Sequence, residues 1–172
     1  MKAKKLLSLA LILSLIFTSF GFNGNNKVEA QEVESVVLDA VEFGLIPNTG
    51  EDSIPKLKEF IELGKKYTDE GKSVVFNFPE GRYDFYPDEA YERELYVSNT
   101  VGLAQGFKNK KIGFLFEDMD NVTVNGNGSL FMFHGKMTTF ATIDCENFTL
   151  QNAIIDYERP QSIDVNVESV DG

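Results

Sequence analysis

The spacing of apolar residues changes twice along the chain and divides it into three parts. Residues 6–20 form a mainly apolar run, and residues 57–67 repeat apolar side chains at intervals of three and four. From residue 73 onward, short apolar stretches are separated by Asn, Gly and Asp. Intervals of three and four are typical of an amphipathic helix, and short bounded stretches are typical of strands. We therefore expect a leader, one helix and then a series of short strands.

The leader has the organisation of a secretory signal peptide. Three lysines lie within the first five residues, the apolar run follows them, and Val-Glu-Ala at 28–30 supplies a cleavage site that ends in a small residue. The apolar run is shorter than the ~20 residues that a membrane span needs. We expect residues 1–30 to be removed, so that the product is secreted or lies at the cell surface of a bacterium. An uncleaved anchor is the alternative.

The predicted fold occupies residues 31–172 and begins with a strand at 33–41 and a turn-rich loop at 44–50. A helix follows, with Asp52 or Ser53 as its N-cap and Pro55 in its first turn. The apolar stripe of this helix consists of Leu57, Phe60, Ile61, Gly64 and Tyr67. We expect the helix to end near Gly71 and to cover the open end of the sheet that follows.

The remaining residues predict strands bounded by turn residues. The predicted strands are 74–78, 82–86, 112–116, 122–124, 129–133, 139–143, 148–150, 153–157 and 163–170. Residues 88–111 are mostly charged and exceed the usual length of a connection. This segment is either an insertion with a function or part of a strand pair.

Two stretches of the strand-rich region repeat each other. DNVTVNGNG at 120–128 and ENFTLQNAI at 146–154 share an order of acid, Asn, apolar, Thr, apolar, with a constant offset that carries Asn121 onto Asn147. A fixed offset that spans several strands favours a solenoid over a sandwich. We predict an all-β solenoid, a right-handed parallel β-helix capped by the amino-terminal helix. Only two repeats are clear, so we expect 31–172 to be the capping helix and first coils of a longer protein.

The net charge narrows the class of partner. Removal of residues 1–30 takes away four Lys and one Glu, which leaves 12 basic and 26 acidic residues and a net charge of −14. An anionic surface repels phosphate backbones, so we expect no nucleic-acid partner. A neutral ligand such as a sugar is not repelled. After cleavage of the leader, we expect no membrane association.

The single cysteine and the single histidine do not predict a reactive or metal-binding site. Cys145 lies between Asp144 and Glu146, which disfavour a thiolate nucleophile, so we expect a small buried apolar side chain. His134 has no second His or Cys at the spacing of metal ligands, so we expect neither a metal nor a cofactor. We expect its ring to bond a backbone carbonyl, with a sugar hydroxyl as the alternative.

Several segments, taken in order, resemble known families. The run from Gly44 through the helix to residues 74–83 resembles the entry of pectate-lyase-like right-handed parallel β-helices. The segments 83–87, 92–99, 126–129, 133–135 and 156–160 resemble the opening third of glycoside hydrolase family 110, and the resemblance covers residues 40–160. That family implies an inverting exo-α-1,3-galactosidase that removes terminal galactose from blood-group-B-type or linear α-galactosyl glycans.

The resemblance also implies where the chemistry lies. The catalytic carboxylates of the family belong to later coils, so we assign no catalytic residue and no substrate-binding residue here, and we expect this chain alone to be inactive. The alternative is a non-catalytic exported β-helix that binds glycans or serves in adhesion. A β-helix lyase or polygalacturonase is disfavoured, because acidic polymers favour a basic groove.

Three further sets of residues have both a functional and a structural interpretation. Asp156 and Glu158 lie on one face of a strand, about 6.5–7 Å apart along the backbone, yet Arg159 keeps both ionised, which suits a base and not an acid. We expect surface or structural ion pairs there, with substrate contacts as the alternative. Asn121, Asn127 and Asn147 start glycosylation sequons, and we expect structural turns instead. The aromatic residues either stack on sugars or pack the insertion against the helix: Tyr83, Phe85, Tyr86, Tyr91 and Tyr96.

Overall fold

The computed structural model describes residues 33–95, 109–160 and residue 169. The predicted leader, Tyr96 and the predicted strand at 163–170, apart from residue 169, lie outside the described residues. The elements are β1 (Ser35–Asp39), α1 (Ala40–Phe43), α2 (Ile54–Asp69), β2 (Ser73–Asn77), β3 (Arg82–Phe85), β4 (Tyr91–Glu94), β5 (Asn109–Glu117), β6 (Val122–Phe133), β7 (Thr138–Ile143) and β8 (Thr149–Tyr157).

The strands form two sheets that are mostly parallel. In the first sheet β1 pairs with β2, β2 with β6, and β6 also with β3 and β8, all in parallel. In the second sheet β5 lies between β4 and β7, parallel to β7 and antiparallel to β4. Parallel strands require crossover connections, and a largely parallel sheet with few helices is compatible with the predicted solenoid.

The sequence repeat is a pairing register in both sheets. Thr123 pairs with Thr149 in the first sheet, and Phe114 pairs with Phe140 in the second. Each pair is separated by the offset of the two repeated stretches, which is 26 positions. The repeat is therefore confirmed as the interval between neighbouring strands.

The strands of the repeated region are longer than predicted. The prediction of four short strands was wrong, because 122–133 and 149–157 are each continuous. Both contain a bend, where the register shifts between Asn125 and Ser129. The Asn and Gly residues that predicted a break thus bend each strand without ending it.

The preceding repeat is longer because of an insertion. Val74 pairs with Val122 and Phe85 with Phe133, an offset of 48 positions in each case. The shorter offset returns at Ile112, so the additional residues lie between Phe85 and Ile112. This insertion contains β4, which pairs with residues 109–112. The interpretation of 88–111 as part of a strand pair is therefore confirmed for residues 91–94 and 109–111.

Helix α2 matches its prediction closely. It begins after Ser53, has Pro in its first turn, and buries Ile54, Leu57, Phe60, Ile61 and Gly64. Ser53 makes no side-chain cap; instead Oδ1 of Asp52 accepts a hydrogen bond of 3.0 Å from the amide of Ile54. Gly71 follows the helix with φ 78°. No helix among the described residues has the length and apolar character needed to cross a membrane.

The helix packs on an aromatic core. The ring of Phe60 meets the edges of Phe76 and Phe78, at centroid distances of 5.1 and 5.9 Å. Gly64 lies so close to Phe76 that an added Cβ would be 2.1 Å from the ring. Phe131 lies further inside, among other aromatic rings. The helix thus buries apolar surface of the first sheet, as the capping prediction requires.

The first strand is shorter than predicted. It ends at Asp39, where Oδ1 accepts a hydrogen bond of 2.9 Å from the amide of Val41 and caps α1. Gly44 ends this short helix with φ 101°, a left-handed conformation that glycine adopts without strain. The predicted strand at 33–41 therefore stops where a carboxylate offers the backbone an alternative partner.

Candidate functional site

Three strands of the first sheet end side by side and bring together residues that are distant in sequence. Phe85, Phe133 and Tyr157 pair in register, so the residues that follow them, Tyr86, His134 and Glu158, occupy equivalent positions. The amide of His134 donates to Phe85 O at 2.9 Å, and the amide of Glu158 donates to Phe133 O at 3.0 Å. These backbone bonds extend the strands and align the three side chains.

The ring of His134 contacts a carboxylate through each nitrogen. Nε2 lies 2.8 Å from Oδ1 of Asp84, and Nδ1 lies 3.1 Å from Oε2 of Glu158. The ring of Tyr86 stacks on the imidazole, with centroids 3.9 Å apart and planes at 6°. The prediction that His134 bonds a backbone carbonyl through its ring was wrong, because register places Asp84 and Glu158 on either side of it.

Asp84 is the buried end of this cluster. Its side chain is 1% exposed, and Nε of Arg82 donates to both carboxylate oxygens at 3.0 Å. Burial alone would raise the Asp84 pKa, but hydrogen bonds from Arg82 and His134 outweigh burial and hold the pKa below its usual value. The hydrogen bond with Asp84 correspondingly raises the pKa of Arg82. Asp84 is therefore an anion at neutral pH.

The two carboxylates limit the hydrogen bonds that the ring can donate. A neutral imidazole has one N–H donor, whereas an imidazolium has two. With a carboxylate facing each nitrogen, only the imidazolium of His134 donates to Asp84 and Glu158 at once. Glu158 is the outermost residue of this hydrogen-bonded cluster, and its side chain is 59% exposed. The cluster thus connects a buried anion to a carboxylate at the surface.

Asp52 supports the cluster from the helix side. Its Oδ1 accepts from the amide of Tyr86 at 3.1 Å, in addition to the amide of Ile54. The hydroxyl of Tyr86 donates to Gly50 O at 3.4 Å. The loop before α2 therefore holds Tyr86 at both ends, and the start of α2 and the stacking partner of His134 depend on one carboxylate.

A pocket opens beside the cluster. It has a volume of about 320 Å³ and is lined by Gly135, Lys136, Arg159 and Pro160. These are the two residues that directly follow His134 and the two that directly follow Glu158. Its two cationic side chains contrast with a chain whose net charge is −11. The pocket and the Glu158 carboxylate thus occupy the same edge of the sheet.

Asp156 and Glu158 do not share an environment. Both are exposed, but Oδ1 of Asp156 accepts from the amide of Tyr157 at 2.7 Å, while Glu158 faces His134. The prediction of surface or structural ion pairs did not identify the contact that Glu158 makes with the ring of His134. Arg159 instead lines the pocket.

The asparagines of the sequons connect neighbouring repeats. Nδ2 of Asn147 donates to Oδ1 of Asn121 at 3.0 Å, and both residues have φ 56°. Nδ2 of Asn127 donates to Oδ1 of Asn77 at 2.7 Å. The prediction of structural turns is therefore confirmed, because the same left-handed corner recurs at the repeat offset.

The cysteine and the aromatic segment are largely structural. Cys145 is half-buried, less than predicted, and Sγ donates to Ile143 O at 3.2 Å. Tyr83 and Phe85 belong to the core, and burial raises the pKa of Tyr83 to about 12. The hydroxyl of Tyr91 is enclosed and has no hydrogen-bond partner. Within residues 33–95 and 109–160, no three His, Cys, Asp or Glu side chains are placed to hold a metal ion.

Sequence reasoning missed Asp84 and the association of Tyr86 with His134. The repeat alone predicts neighbours for His134 at 108 and 160, whereas its true neighbours are 86 and 158. The insertion lengthens one interval to 48 positions, and the bend shortens the other to 24. The alternation of Arg82, Asp84 and Tyr86 along one strand was the available signal, because such residues share a face.

No protein-family model matches the chain, but individual relatives do. Alpha-1,3-galactosidase A of Streptomyces avermitilis is 41% identical over 138 residues, which are 80% of this chain and 22% of the relative. Alpha-1,3-galactosidase B of Phocaeicola vulgatus is 36% identical over 167 residues, 97% of this chain and 25% of the relative. Alpha-1,3-galactosidase A of Bacteroides fragilis is 33% identical over 144 residues, 83% and 23% of the two chains. The chain spans about a quarter of the length of these curated relatives and, over that length, belongs to the α-1,3-galactosidase family.

Proposed function

We propose that this chain is the amino-terminal part of a secreted bacterial glycoside hydrolase that removes terminal α-1,3-linked galactose from glycans with inversion. The observation that carries the proposal is identity of 33–41% to proteins named alpha-1,3-galactosidase, extending over 80–97% of the chain. The glycans are blood-group-B-type or linear α-galactosyl structures. The net charge of −11 supports a neutral ligand over a polyanion.

The scaffold in this proposal is a right-handed parallel β-helix of the pectate-lyase-like kind. The first part of β6 pairs with β8, and β5 pairs with β7, in parallel at an offset of 26 positions in each sheet, which supports a coil of that length. Helix α2 buries Phe60 against Phe76 and Phe78 and so protects the first coil. Further coils continue the stack beyond β8.

The same proposal holds that the chain by itself is inactive. Inversion requires one protonated and one ionised carboxyl, about 6.5–9.5 Å apart with room for a water. Asp84 is buried against Arg82 and is held ionised, and Glu158 is paired with His134. Asp84 is therefore not suited to donate the proton, and in this proposal the acid and the base belong to later coils of the full-length protein.

Export is part of the proposal. Residues 1–30 form a signal peptide that is removed, and the mature protein is secreted or remains at the cell surface. Mass spectrometry of the protein recovered from the growth medium or cell surface tests this directly. The expected amino terminus is residue 31, and a product retained in the cytoplasm with residue 1 intact would contradict it.

The activity is tested with the longest product of the natural reading frame that contains this sequence. It is incubated with galactose-α-1,3-galactose and, as a linkage control, galactose-α-1,4-galactose. Proton NMR during the first minutes reports the anomer released, and inversion yields β-galactose before mutarotation. We expect galactose only from the α-1,3 disaccharide and none with the 172-residue chain.

Two outcomes would overturn parts of this proposal. Release of galactose by the 172-residue chain would contradict its inactivity. Binding of the disaccharide by the longer product without release of galactose would support the non-catalytic glycan-binding module in place of the enzyme.

A further inference from the structure

We propose that Glu158, which directly precedes the pocket residue Arg159, is a sugar-contacting carboxylate and that His134 is its positioning residue. The inference rests on the proposed function, because that function supplies the glycan. The inference places one of its hydroxyl groups at this edge of the sheet. It goes beyond that function by naming a subsite within this chain, away from the acid and base of the later coils.

The pocket is suited to a neutral sugar ring. Its volume of about 320 Å³ falls within the range of about 300–1,000 Å³ for small-molecule sites. Arg159 lines the pocket and supplies hydrogen-bond donors, and Glu158, the residue before it, supplies acceptors. A polyol needs both, since each hydroxyl donates one hydrogen bond and accepts others. The chemical class that matches is therefore a hexose with free hydroxyl groups.

Glu158 is exposed, and its contact with His134 fixes the orientation of its carboxylate. An exposed glutamate has several rotamers, and a ligand that orders one of them loses binding free energy to the side-chain entropy. Nδ1 of His134 contacts Oε2 at 3.1 Å and selects one orientation before a sugar arrives. A carboxylate has about four acceptor positions, so this contact leaves capacity for a hydroxyl group.

The imidazole is itself held by Asp84 and Tyr86. Asp84 holds Nε2 at 2.8 Å, and the ring of Tyr86 lies parallel to the imidazole at 3.9 Å. Arg82 in turn orients Asp84 through both carboxylate oxygens. A binding group is held in a productive orientation when the residues around it are themselves fixed by packing and hydrogen bonds. The arrangement spans three successive strands, which a purely local ion pair does not need.

The sole histidine allows a direct test on the 172-residue chain. Its ring carbon-bound protons give the only imidazole signals, which are followed by NMR while the methyl glycoside of galactose-α-1,3-galactose is added. We expect saturable shifts in the wild type and in Glu146→Gln, an exposed carboxylate at another turn, and none in Glu158→Gln. Two results would overturn the proposal. One is the absence of shifts at a glycoside concentration 20-fold above a Kd of about 1 mM, and the other is equal shifts in the wild type and Glu158→Gln.

A pair of variants of the longer gene product separates positioning from simple stability. In His134→Asn the amide nitrogen can take the place of Nδ1 and still face Glu158, whereas in His134→Gln it takes the place of Nε2 and faces Asp84. We expect Glu158→Gln and His134→Gln to raise KM about 10-fold with kcat within 2-fold, and His134→Asn to recover part of that loss. The thermal midpoint of each variant is measured in parallel.

The outcomes distinguish this inference from the proposed function. If the longer product releases no galactose, the enzymatic proposal fails, while the histidine shifts still decide whether the subsite exists. If it releases galactose and both His134 variants raise KM equally, in proportion to their lowered thermal midpoints, His134 is structural and the positioning role is wrong. A sialylated disaccharide that shifts the signals more than the neutral one would assign the pocket to acidic sugars and overturn the hexose class.

Discussion

Nε2 of His134 lies 2.8 Å from Oδ1 of Asp84, although 50 residues separate the two in sequence. The contact exists because Phe85 and Phe133 pair in parallel, which places the Asp84 side chain of one strand beside the end of the next strand. A buried carboxylate that is hydrogen-bonded by Arg82 and His134 stabilises the fold only while those partners remain. The consequences of this contact are measurable.

Replacement of Asp84 by Asn should destabilise the protein by about 2 kcal/mol, the value typical of a hydrogen bond to a charged group. The amide retains the shape of the carboxylate but cannot accept from Arg82 and His134 with both oxygens. Urea unfolding at pH 7 measures the change. Asp88→Asn, an exposed carboxylate close in sequence, is the control and should leave the unfolding midpoint unchanged.

The same variant should alter the dependence of stability on pH. The Asp84 pKa is lower in the folded chain than its ordinary value of about 3.9. A depressed pKa contributes stability above the unfolded pKa, and this contribution is lost as the pH falls through the folded pKa. The gap in unfolding free energy between wild type and Asp84→Asn should therefore narrow as the pH falls below 4. A gap that widens in acid would show that Asp84 is protonated at neutral pH.

Gly64→Ala should destabilise helix α2 despite the higher helix propensity of alanine. The propensity gain is about 1 kcal/mol, whereas overpacking a core costs about 1–3 kcal/mol. The added Cβ would lie 2.1 Å from Cζ of Phe76, and that ring is buried between Phe60 and Phe116. We expect a net loss of about 1 kcal/mol in thermal or urea unfolding. Lys66→Ala, exposed on the same helix, should change stability little, and a stabilised Gly64→Ala would contradict this packing.

Asn147 should tolerate glycine better than alanine. Its φ of 56° is left-handed, a conformation that costs an alanine roughly 1–2 kcal/mol and glycine almost nothing. Both variants lose the hydrogen bond to Asn121, so the difference between them isolates the backbone contribution. Chemical unfolding of the two variants gives that difference directly. Glu146→Ala, in the same turn with an ordinary φ, is the reference, and equal losses for glycine and alanine would contradict the corner geometry.

Much of the fold follows from local patterns. The stripe from Leu57 to Gly64 predicted which face of α2 is buried, because helix periodicity and burial are both local consequences of the helical repeat. The echo of Asn121 at Asn147 predicted the register between β6 and β8, since stacked strands place equivalent residues next to one another. Identical corners need identical backbone angles, so the repeat is visible as sequence.

The candidate site depends on contacts that no local pattern specifies. An insertion before Ile112 and a bend after Asn125 break the constant offset, so the neighbours of His134 cannot be found by counting. Apolar spacing and the repeat were sufficient to predict stacked parallel strands with a helix at their amino-terminal end. Tertiary pairing alone decided that Asp84, His134 and Glu158 meet, because each belongs to a different strand and the sheet register fixes their distances.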